Sequence, residues 1–293
     1  MNTYENMQFD EERALYGVKN ATINNCKFDG PADGESALKE CTDIKVDNCF
    51  FNLSYPFWHV NNAFIKESEM TEGCRAALWY DNNITLLNCR MNGIKALREC
   101  KNIKISGSSA VSPEFFWRCS DIVVEHSKLE SEYPFFECSN VCIDDLDMKG
   151  KYSFQYVENM TIRNSVLDTK DAFWHSKNVT VMDSVVKGEY LGWYAQNLKF
   201  IRCKIIGTQP LCYCKNLVLE ECTMEAADLC FERSEVNATI QGRIDSVKNP
   251  ISGMIKADEI GEIIMEEEFV DSSKTQIISV AKTPKTPTSI SGQ

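Results

Sequence analysis

Residues 178–196 read NVTVMDSVVKGEYLGWYAQ, and residues 197–215 read NLKFIRCKIIGTQPLCYCK. Each unit begins with an asparagine followed by an apolar residue, which we name the landmark residue of that unit. Landmark residues recur every nineteen positions from Ile84 to Val236 without slippage, mostly after Asn or Asp. A period this strict predicts a solenoid, which is a stack of equivalent coils.

The repeat extends towards the N-terminus with two irregular steps. The earlier landmark residues are Ala21, Ile44 and Ala63, which brings the predicted number of coils to twelve. Gly and Pro within residues 29–34, and Gly73 in the other long step, predict excursions at turns rather than domain boundaries.

Two kinds of solenoid fit this period. A nineteen-residue coil is too short for a pair of helices, which needs about thirty residues or more. Alternating apolar and polar residues predict a strand at the landmark residue, and the aromatic run three to eight residues before it predicts a second strand. Residues 41–51 and 214–224 also meet the leucine-rich-repeat spacing, so that fold stays an alternative. We favour a parallel β-helix because cysteine replaces the first leucine of that spacing.

The asparagine before the landmark residue predicts a turn, because Asn and Asp tolerate positive φ better than other non-glycine residues. Asparagines stacked about 4.8 Å apart, the distance between neighbouring strands, can also hydrogen-bond to one another along the axis. We therefore expect an asparagine ladder.

The recurring motif N-[IVL]-x-[IVL]-x-x-[CS]-x-[MLF], with its preceding aromatic run, resembles the right-handed parallel β-helices of the pectin-lyase-like superfamily. It resembles more closely an uncharacterised bacterial family of such proteins, domain of unknown function 3737. The resemblance covers roughly residues 13–249 and implies an all-β fold, a single right-handed parallel β-helix of about twelve short coils. It implies no activity for any residue.

The domain organisation follows from where the period holds. We expect an N-terminal cap over residues 1–12, the β-helix over 13–249, a C-terminal cap over 250–270 and a loosely ordered tail over 271–293.

Composition limits the partners and the compartment. The net charge of −12 disfavours nucleic acid and anionic membranes, which bind clustered Lys and Arg. The first residues lack the pattern of a signal peptide and no long apolar run follows, so we expect a cytoplasmic protein whose fourteen cysteines are mostly reduced. These cysteines fall into columns shared with Ser, Val and Ala, which predicts small core residues rather than metal ligands, and no cofactor motif is found.

One polar cluster is a candidate catalytic site. His126 lies four residues after its landmark residue, in the same column as Asp145 of the next coil, with Asp144 and Arg163 beside them. Neighbouring coils would bring these side chains within the reach that a general acid–base pair requires. The alternative is an ordinary solvated face of an acidic protein.

The aromatic residues form three columns. The tryptophan column lies five residues before the landmark residue and contains Trp58, Trp79, Trp117, Phe136, Trp174, Trp193 and Phe231. The tyrosine–histidine column lies four residues before it and contains His59, Tyr80, Tyr156, His175, Tyr194 and Tyr213. The outer tyrosine column lies eight residues before it and contains Tyr55, Tyr133, Tyr152 and Tyr190. Adjacent strand residues face opposite ways, so the sequence leaves open which of the first two columns meets solvent.

Three classes of function remain. The leading hypothesis is a carbohydrate-binding module that uses the candidate residues Tyr156, Asp171, His175, Tyr190, Tyr194 and Tyr213, because aromatic rings with polar edges suit sugars. The second is a polysaccharide lyase or glycoside hydrolase that uses His126, Asp144, Asp145 and Arg163. The third is a structural scaffold that self-associates into a homo-oligomer.

Overall fold

The fold is a parallel β-solenoid. The computed structural model describes residues 2–32 and 34–280, and the one helix in this part of the chain is the 3-10 turn Ser272–Lys274. Each landmark strand pairs in parallel with its equivalents above and below, as Ile84 does with Ala63 and Ile103. A second series of parallel strands, such as Arg90–Met91 beside Glu69–Met70, takes the place of the helical segment of a leucine-rich repeat and confirms the parallel β-helix.

Two series of strands form the main sheet. The strands at or near the landmark residue are Asn2–Glu5, Lys19–Asn24, Thr42–Asp47, Asn61–Lys66, Asn82–Leu87, Lys101–Ser106, Ser120–Glu132, Ser139–Lys151, Glu158–Arg163, Lys177–Met182, Gln196–Ile201, Leu217–Glu225, Glu235–Lys248, Ser252–Ile264 and Thr275–Ser279. The strands that follow the next corner are Gln8–Phe9, Lys27–Phe28, Phe50–Phe51, Glu69–Met70, Arg90–Met91, Ser109–Val111, Val166–Lys170, Val185–Lys187 and Lys204–Ile206.

The aromatic run is mostly turn rather than the predicted strand. It forms only the two-residue strands Phe57–Trp58, Leu78–Trp79 and Leu97–Arg98, which make a small separate sheet. Elsewhere turns replace the strand, because left-handed residues recur along this run.

The stack has about fifteen coils rather than twelve. Asn2–Glu5 pairs with residues 21–24 at one end, and Ser252–Ile264 and Thr275–Ser279 add parallel strands at the other. The sequence pattern missed these coils because residues 2, 253 and 275 are Asn, Gly and Thr, and not apolar landmark residues. Of the tail predicted over 271–293, residues 281–293 lie outside the described part of the chain.

The core is built from columns of stacked apolar side chains. One column, six residues before the landmark residue, consists of the fully buried rings of Phe116, Phe135, Phe154 and Phe173. The centroids of consecutive rings in this column lie 5.0–5.2 Å apart. Offset stacking of this kind adds about 0.5–1.5 kcal/mol per pair to the burial of the rings.

Left-handed backbone makes the corners. In one coil the positive-φ residues are Asn159, Asn164, Asp171, Phe173 and His175. The asparagine column is one of these corners, and its side chains form the predicted ladder. Asn216 donates from Nδ2 to Oδ1 of Asn197, which donates to Asn178, both at 2.8 Å.

The cysteines lie where the sequence predicted. Cys142 is half-buried, and the other thirteen are buried with free thiols. The Cys214 Sγ donates to the Gly192 carbonyl at 3.0 Å, and burial raises the pKa of the Cys214 thiol to about 12. Thiols held protonated in this way act as packing groups and not as nucleophiles.

Asp81 interrupts one cysteine column with a buried carboxyl group. Its Oδ1 accepts a hydrogen bond from the Val60 amide at 2.7 Å, whereas its Oδ2 has no partner. Desolvation, and then the neighbouring Cys100, raises the pKa of Asp81 well above its ordinary value. A carboxyl group that keeps its proton in the folded state loses that proton on unfolding at neutral pH, and this favours the unfolded chain.

We expect the substitution Asp81→Cys to stabilise the protein at pH 7 and to have less effect near pH 4. Between the ordinary pKa of about 3.9 and the raised folded pKa, the free energy of unfolding of the parent falls by up to about 1.4 kcal/mol per pH unit, and this dependence disappears in the variant. Denaturant unfolding of both proteins from pH 4 to pH 8 measures the difference. A difference that does not change with pH would contradict the assignment of a protonated Asp81.

Candidate functional site

The aromatic run bends in a way that places two adjacent columns on the outside. In one coil Phe173 is fully buried, Trp174 is half-buried and His175 is exposed. Phe173 and His175 both have left-handed φ, which interrupts the alternation of a strand. The phenylalanine at this position therefore fills the core. The tryptophan column and the tyrosine–histidine column both face outward, although the sequence predicted that only one of them would.

The tyrosine–histidine column is a continuous stack over four coils. Ring centroids are 4.9 Å apart from Tyr156 to His175, 5.0 Å from His175 to Tyr194 and 4.9 Å from Tyr194 to Tyr213, with planes within 13° of parallel. Tyr156 is 47% exposed and Tyr194 is 43% exposed. Because each ring face covers its neighbour, the stack presents ring edges, hydroxyl groups and imidazole nitrogens to solvent.

Ion pairs divide this column into two aromatic parts. Arg118 lies between Glu99, at 3.6 Å, and Glu137, at 2.7 Å. On the N-terminal side of this ladder, His59 and Tyr80 form a tilted aromatic pair with ring centroids 5.3 Å apart. The four-ring stack is thus the longest uninterrupted aromatic part of the column.

The tryptophan column supports the exposed rings from behind. Trp193 contacts Tyr190 and Tyr213, each at 5.5 Å between centroids, and Tyr194 at 6.4 Å. It also stacks on Trp174 at 5.4 Å. Trp193 was not among the binding residues predicted from the sequence, although its position directly before Tyr194 indicated that it lies beside the stack.

Phe231 does not belong to the tryptophan column. It is fully buried, because the register of the coil slips by one residue before it rejoins at Val236. The slip is visible in the bond from the Cys214 amide to Ser234 Oγ, twenty residues away rather than nineteen.

The structure brings five of the six predicted binding residues together. Tyr190 joins the stack of Tyr156, His175, Tyr194 and Tyr213 through Trp193. Asp171 lies in the outer tyrosine column, where it is only 7% exposed. Burial raises the pKa of Asp171, while Lys170 nearby lowers it. We name the tryptophan column, the tyrosine–histidine column and the outer tyrosine column together the aromatic corner.

The candidate catalytic residues also meet, but at an open corner. His126 Nδ1 lies 2.8 Å from Asp145 Oδ2, and the two side chains are 68% and 62% exposed. Asp144 accepts a hydrogen bond from Asn164 at 2.8 Å and is the register partner of the exposed Arg163. The hydrogen bond to Asp145, followed by the charges of nearby carboxylates, raises the pKa of His126.

Within residues 2–32 and 34–280, no group of three or more His, Cys, Asp and Glu side chains is arranged to hold a metal ion. No helix in this part of the chain has the length and apolar character needed to span a bilayer.

Fold and surface together define a right-handed parallel β-solenoid with an aromatic strip along one outer corner. Within that class the chain belongs to the family described as protein of unknown function (DUF3737), whose sequence profile matches residues 2–278. This confirms the resemblance carried by the recurring motif. Among curated protein sequences, none matches this chain.

Several solved structures share the architecture at low sequence identity. A surface adhesin of Streptococcus pneumoniae, PfbA, is 10% identical with a TM-score of 0.45, over 89% of this chain and 82% of its own. The A-module of the Azotobacter vinelandii mannuronan C-5 epimerase AlgE4 is 9% identical with a TM-score of 0.30, over 94% and 88%. The tailspike of E. coli bacteriophage HK620, solved with a pentasaccharide, is 8% identical with a TM-score of 0.31, over 95% and 70%. These similarities concern the fold alone.

We expect the raised pKa of His126 to depend on Asp145. In the parent protein it should lie above the ordinary value of about 6.5, and Asp145→Asn should lower it, because the neutral amide no longer favours the imidazolium. The stabilisation from the pair is complete below about pH 6.5 and is lost as pH rises through the folded pKa. NMR titration of the ring protons measures both pKa values, and His59 and His175 serve as internal controls. An unchanged His126 pKa in the variant would refute the pairing.

Proposed function

We propose that this protein binds carbohydrate chains along its aromatic corner. The observation that carries the proposal is the uninterrupted stack of Tyr156, His175, Tyr194 and Tyr213, of which the first three are exposed and Tyr213 is half-buried. A stack that served only to stabilise the coil would not need hydroxyl groups at its outer edge. Rings with polar rims are the side chains that sugar-binding surfaces use.

The spacing of the stack suits a polymer that lies along the solenoid axis. Consecutive rings are 4.9–5.0 Å apart, and an extended glycan chain advances by a similar distance for each sugar ring. Each coil can therefore offer one hydrogen-bonding edge to each successive sugar. The repeat of the protein would match the repeat of its ligand.

Charge narrows the class of glycan. The chain carries a net charge of −12, so its overall field disfavours the approach of polyanionic polysaccharides. Neutral glycans meet no such barrier. We therefore propose a neutral, extended oligosaccharide or polysaccharide as the ligand.

The test removes hydroxyl groups while leaving the stack in place. We expect the double substitution Tyr156→Phe and Tyr194→Phe to weaken binding of a neutral oligosaccharide about 5- to 150-fold, because two hydrogen bonds of about 0.5–1.5 kcal/mol each are lost. A glycan array identifies the ligand and titration calorimetry measures the affinity. Tyr16→Phe is the matched control, since Tyr16 is 54% exposed on the first coils.

Two results would overturn this proposal. One is a parent protein that binds no neutral glycan on the array. The other is a double variant that binds as tightly as the parent while Tyr16→Phe also has no effect.

We infer a second candidate function, glycoside hydrolysis or polysaccharide cleavage, from the 2.8 Å contact between His126 and Asp145. A proton-transfer pair needs this reach, and Asp144 supplies a second carboxylate beside it. Activity towards a panel of polysaccharides should fall at least about 100-fold in His126→Gln and in Asp145→Asn, the lower end of what positioned acid–base catalysis contributes. Equal turnover by these variants and the parent would eliminate this site.

A further inference from the structure

The outer tyrosine column lacks a ring at Asp171. The backbone repeats without change there. The amides of Tyr133, Tyr152 and Asp171 donate to the next coil at 2.9 Å, and that of Tyr190 does so at 3.1 Å. All four residues have φ between 51° and 59°, so their side chains leave the coil in the same direction. An aspartate therefore occupies a place that three of the four positions fill with a tyrosine.

The tryptophan column lacks a ring one coil before Asp171. Trp117, Trp174 and Trp193 each donate from Nε1 to the carbonyl of an outer-column residue in the next coil, at 2.6–2.9 Å. Gln155 takes the place of a tryptophan and makes the same bond, from Nε2 to the Asp171 carbonyl at 3.1 Å. The amide preserves the hydrogen bond, but it does not fill the volume of an indole ring.

Two rings are thus missing from adjacent coils of the aromatic corner, and we name this place the notch. Tyr152 and Tyr190 lie one coil before and one coil after Asp171, so about 10 Å separates their positions along the axis. A regular pair in this column, Tyr133 and Tyr152, stacks at 4.6 Å between centroids. The axial spacing between Tyr152 and Tyr190 therefore equals the height of one inserted ring, with Gln155 and Asp171 between them.

The carboxylate at the base has unmet hydrogen-bonding capacity. Asp171 is 7% exposed, and among the described residues no donor lies within hydrogen-bond distance of its side chain. The nearest cation is Lys170, whose Nζ is 4.0 Å from Oδ2. A carboxylate desolvated without donors is costly, and donors supplied by a ligand would relieve that cost.

We propose that this notch is a subsite for one pyranose ring, which stacks between Tyr152 and Tyr190 and donates two neighbouring hydroxyl groups to the Asp171 carboxylate. The apolar faces of a pyranose match the faces of the two tyrosines, and adjacent hydroxyls match the two carboxylate oxygens. In the four-ring stack the ring faces are already covered, so the notch is where a sugar face finds a partner. This inference rests on the proposed function and adds an anchoring point for the glycan.

The first test uses monosaccharides, which are too short to span the four-ring stack. Millimolar methyl glucopyranoside, galactopyranoside and mannopyranoside are titrated into the full chain and followed by NMR. We expect at least one to shift the Trp174 indole N–H resonance and to lower the pKa of the Asp171 carboxyl group, because donors favour its charged form. The flat-ring probe benzyl alcohol, with a single hydroxyl, should do neither.

Three substitutions separate shape from charge. Asp171→Asn should weaken the monosaccharide about 10- to 150-fold, because it removes a charged acceptor worth about 1.5–3 kcal/mol. Asp171→Tyr restores the missing ring, so it should fold with an unchanged or higher Tm and lose the monosaccharide entirely. Asp168→Asn is the matched control, because Asp168 pairs with Lys187 at 3.0 Å outside the notch and should leave binding unchanged.

The outcomes distinguish the subsite from the proposed function. If Asp171→Tyr folds and binds both ligands as the parent does, the subsite is wrong while glycan binding along the stack stands. If the parent binds no oligosaccharide but a monosaccharide still shifts the Trp174 resonance, the subsite stands without the longer site. If benzyl alcohol alone shifts that resonance, the notch is an aromatic-ring slot and the sugar assignment is overturned.

Discussion

Parallel hydrogen bonding between coils is the constraint on which the whole structure depends. Each coil repeats the φ and ψ sequence of the one below, so equivalent residues lie directly above one another at the strand spacing of about 4.8 Å. A choice of residue at one position therefore becomes a choice of neighbour on both sides. Packing in this protein is therefore determined separately for each column. A side chain can repeat along a column when two copies of it make a favourable contact at the strand spacing.

The columns show which side chains meet that condition. Phenylalanine, tyrosine and histidine rings stack, asparagine amides bond to one another, and cysteine thiols donate to the backbone of the coil before. Charged side chains of one sign repel each other at that distance, and several neighbouring coils place opposite charges together, as in Lys177 over Glu158 and Arg202 over Asp183. Each exposed pair adds at most about 1 kcal/mol to the stability of the stack.

Residues with strong local preferences were the ones that could be predicted from the sequence. Asparagine tolerates left-handed backbone, so the asparagine column predicted a corner of the coil. Columns in which cysteine exchanges with other small residues predicted a packed interior. The aromatic run was different, because Phe173, His175 and Tyr190 also adopt left-handed φ, which their residue types do not favour. The bonds of the neighbouring coils hold them there, so the direction of the rings became clear only in three dimensions. The contact of His126 with Asp145 followed from the period alone, because both lie on the asparagine-like corner four residues after the landmark residue.

The exceptions to the columns carry the chemistry, and their position decides its kind. Asp81 and Asp171 are both carboxyl groups that replace the usual residue of a column, and burial raises the pKa of both. Asp81 is sealed inside the core, where no ligand can supply a donor, so it only lowers stability at neutral pH. Asp171 lies on the outer tyrosine column, and in the subsite that we propose its unmet hydrogen-bonding capacity would become binding energy for a ligand that brings donors of the right spacing. In a regular solenoid each stacked ring covers the face of its neighbour, so we propose that a ligand ring stacks where the repeat of rings is interrupted.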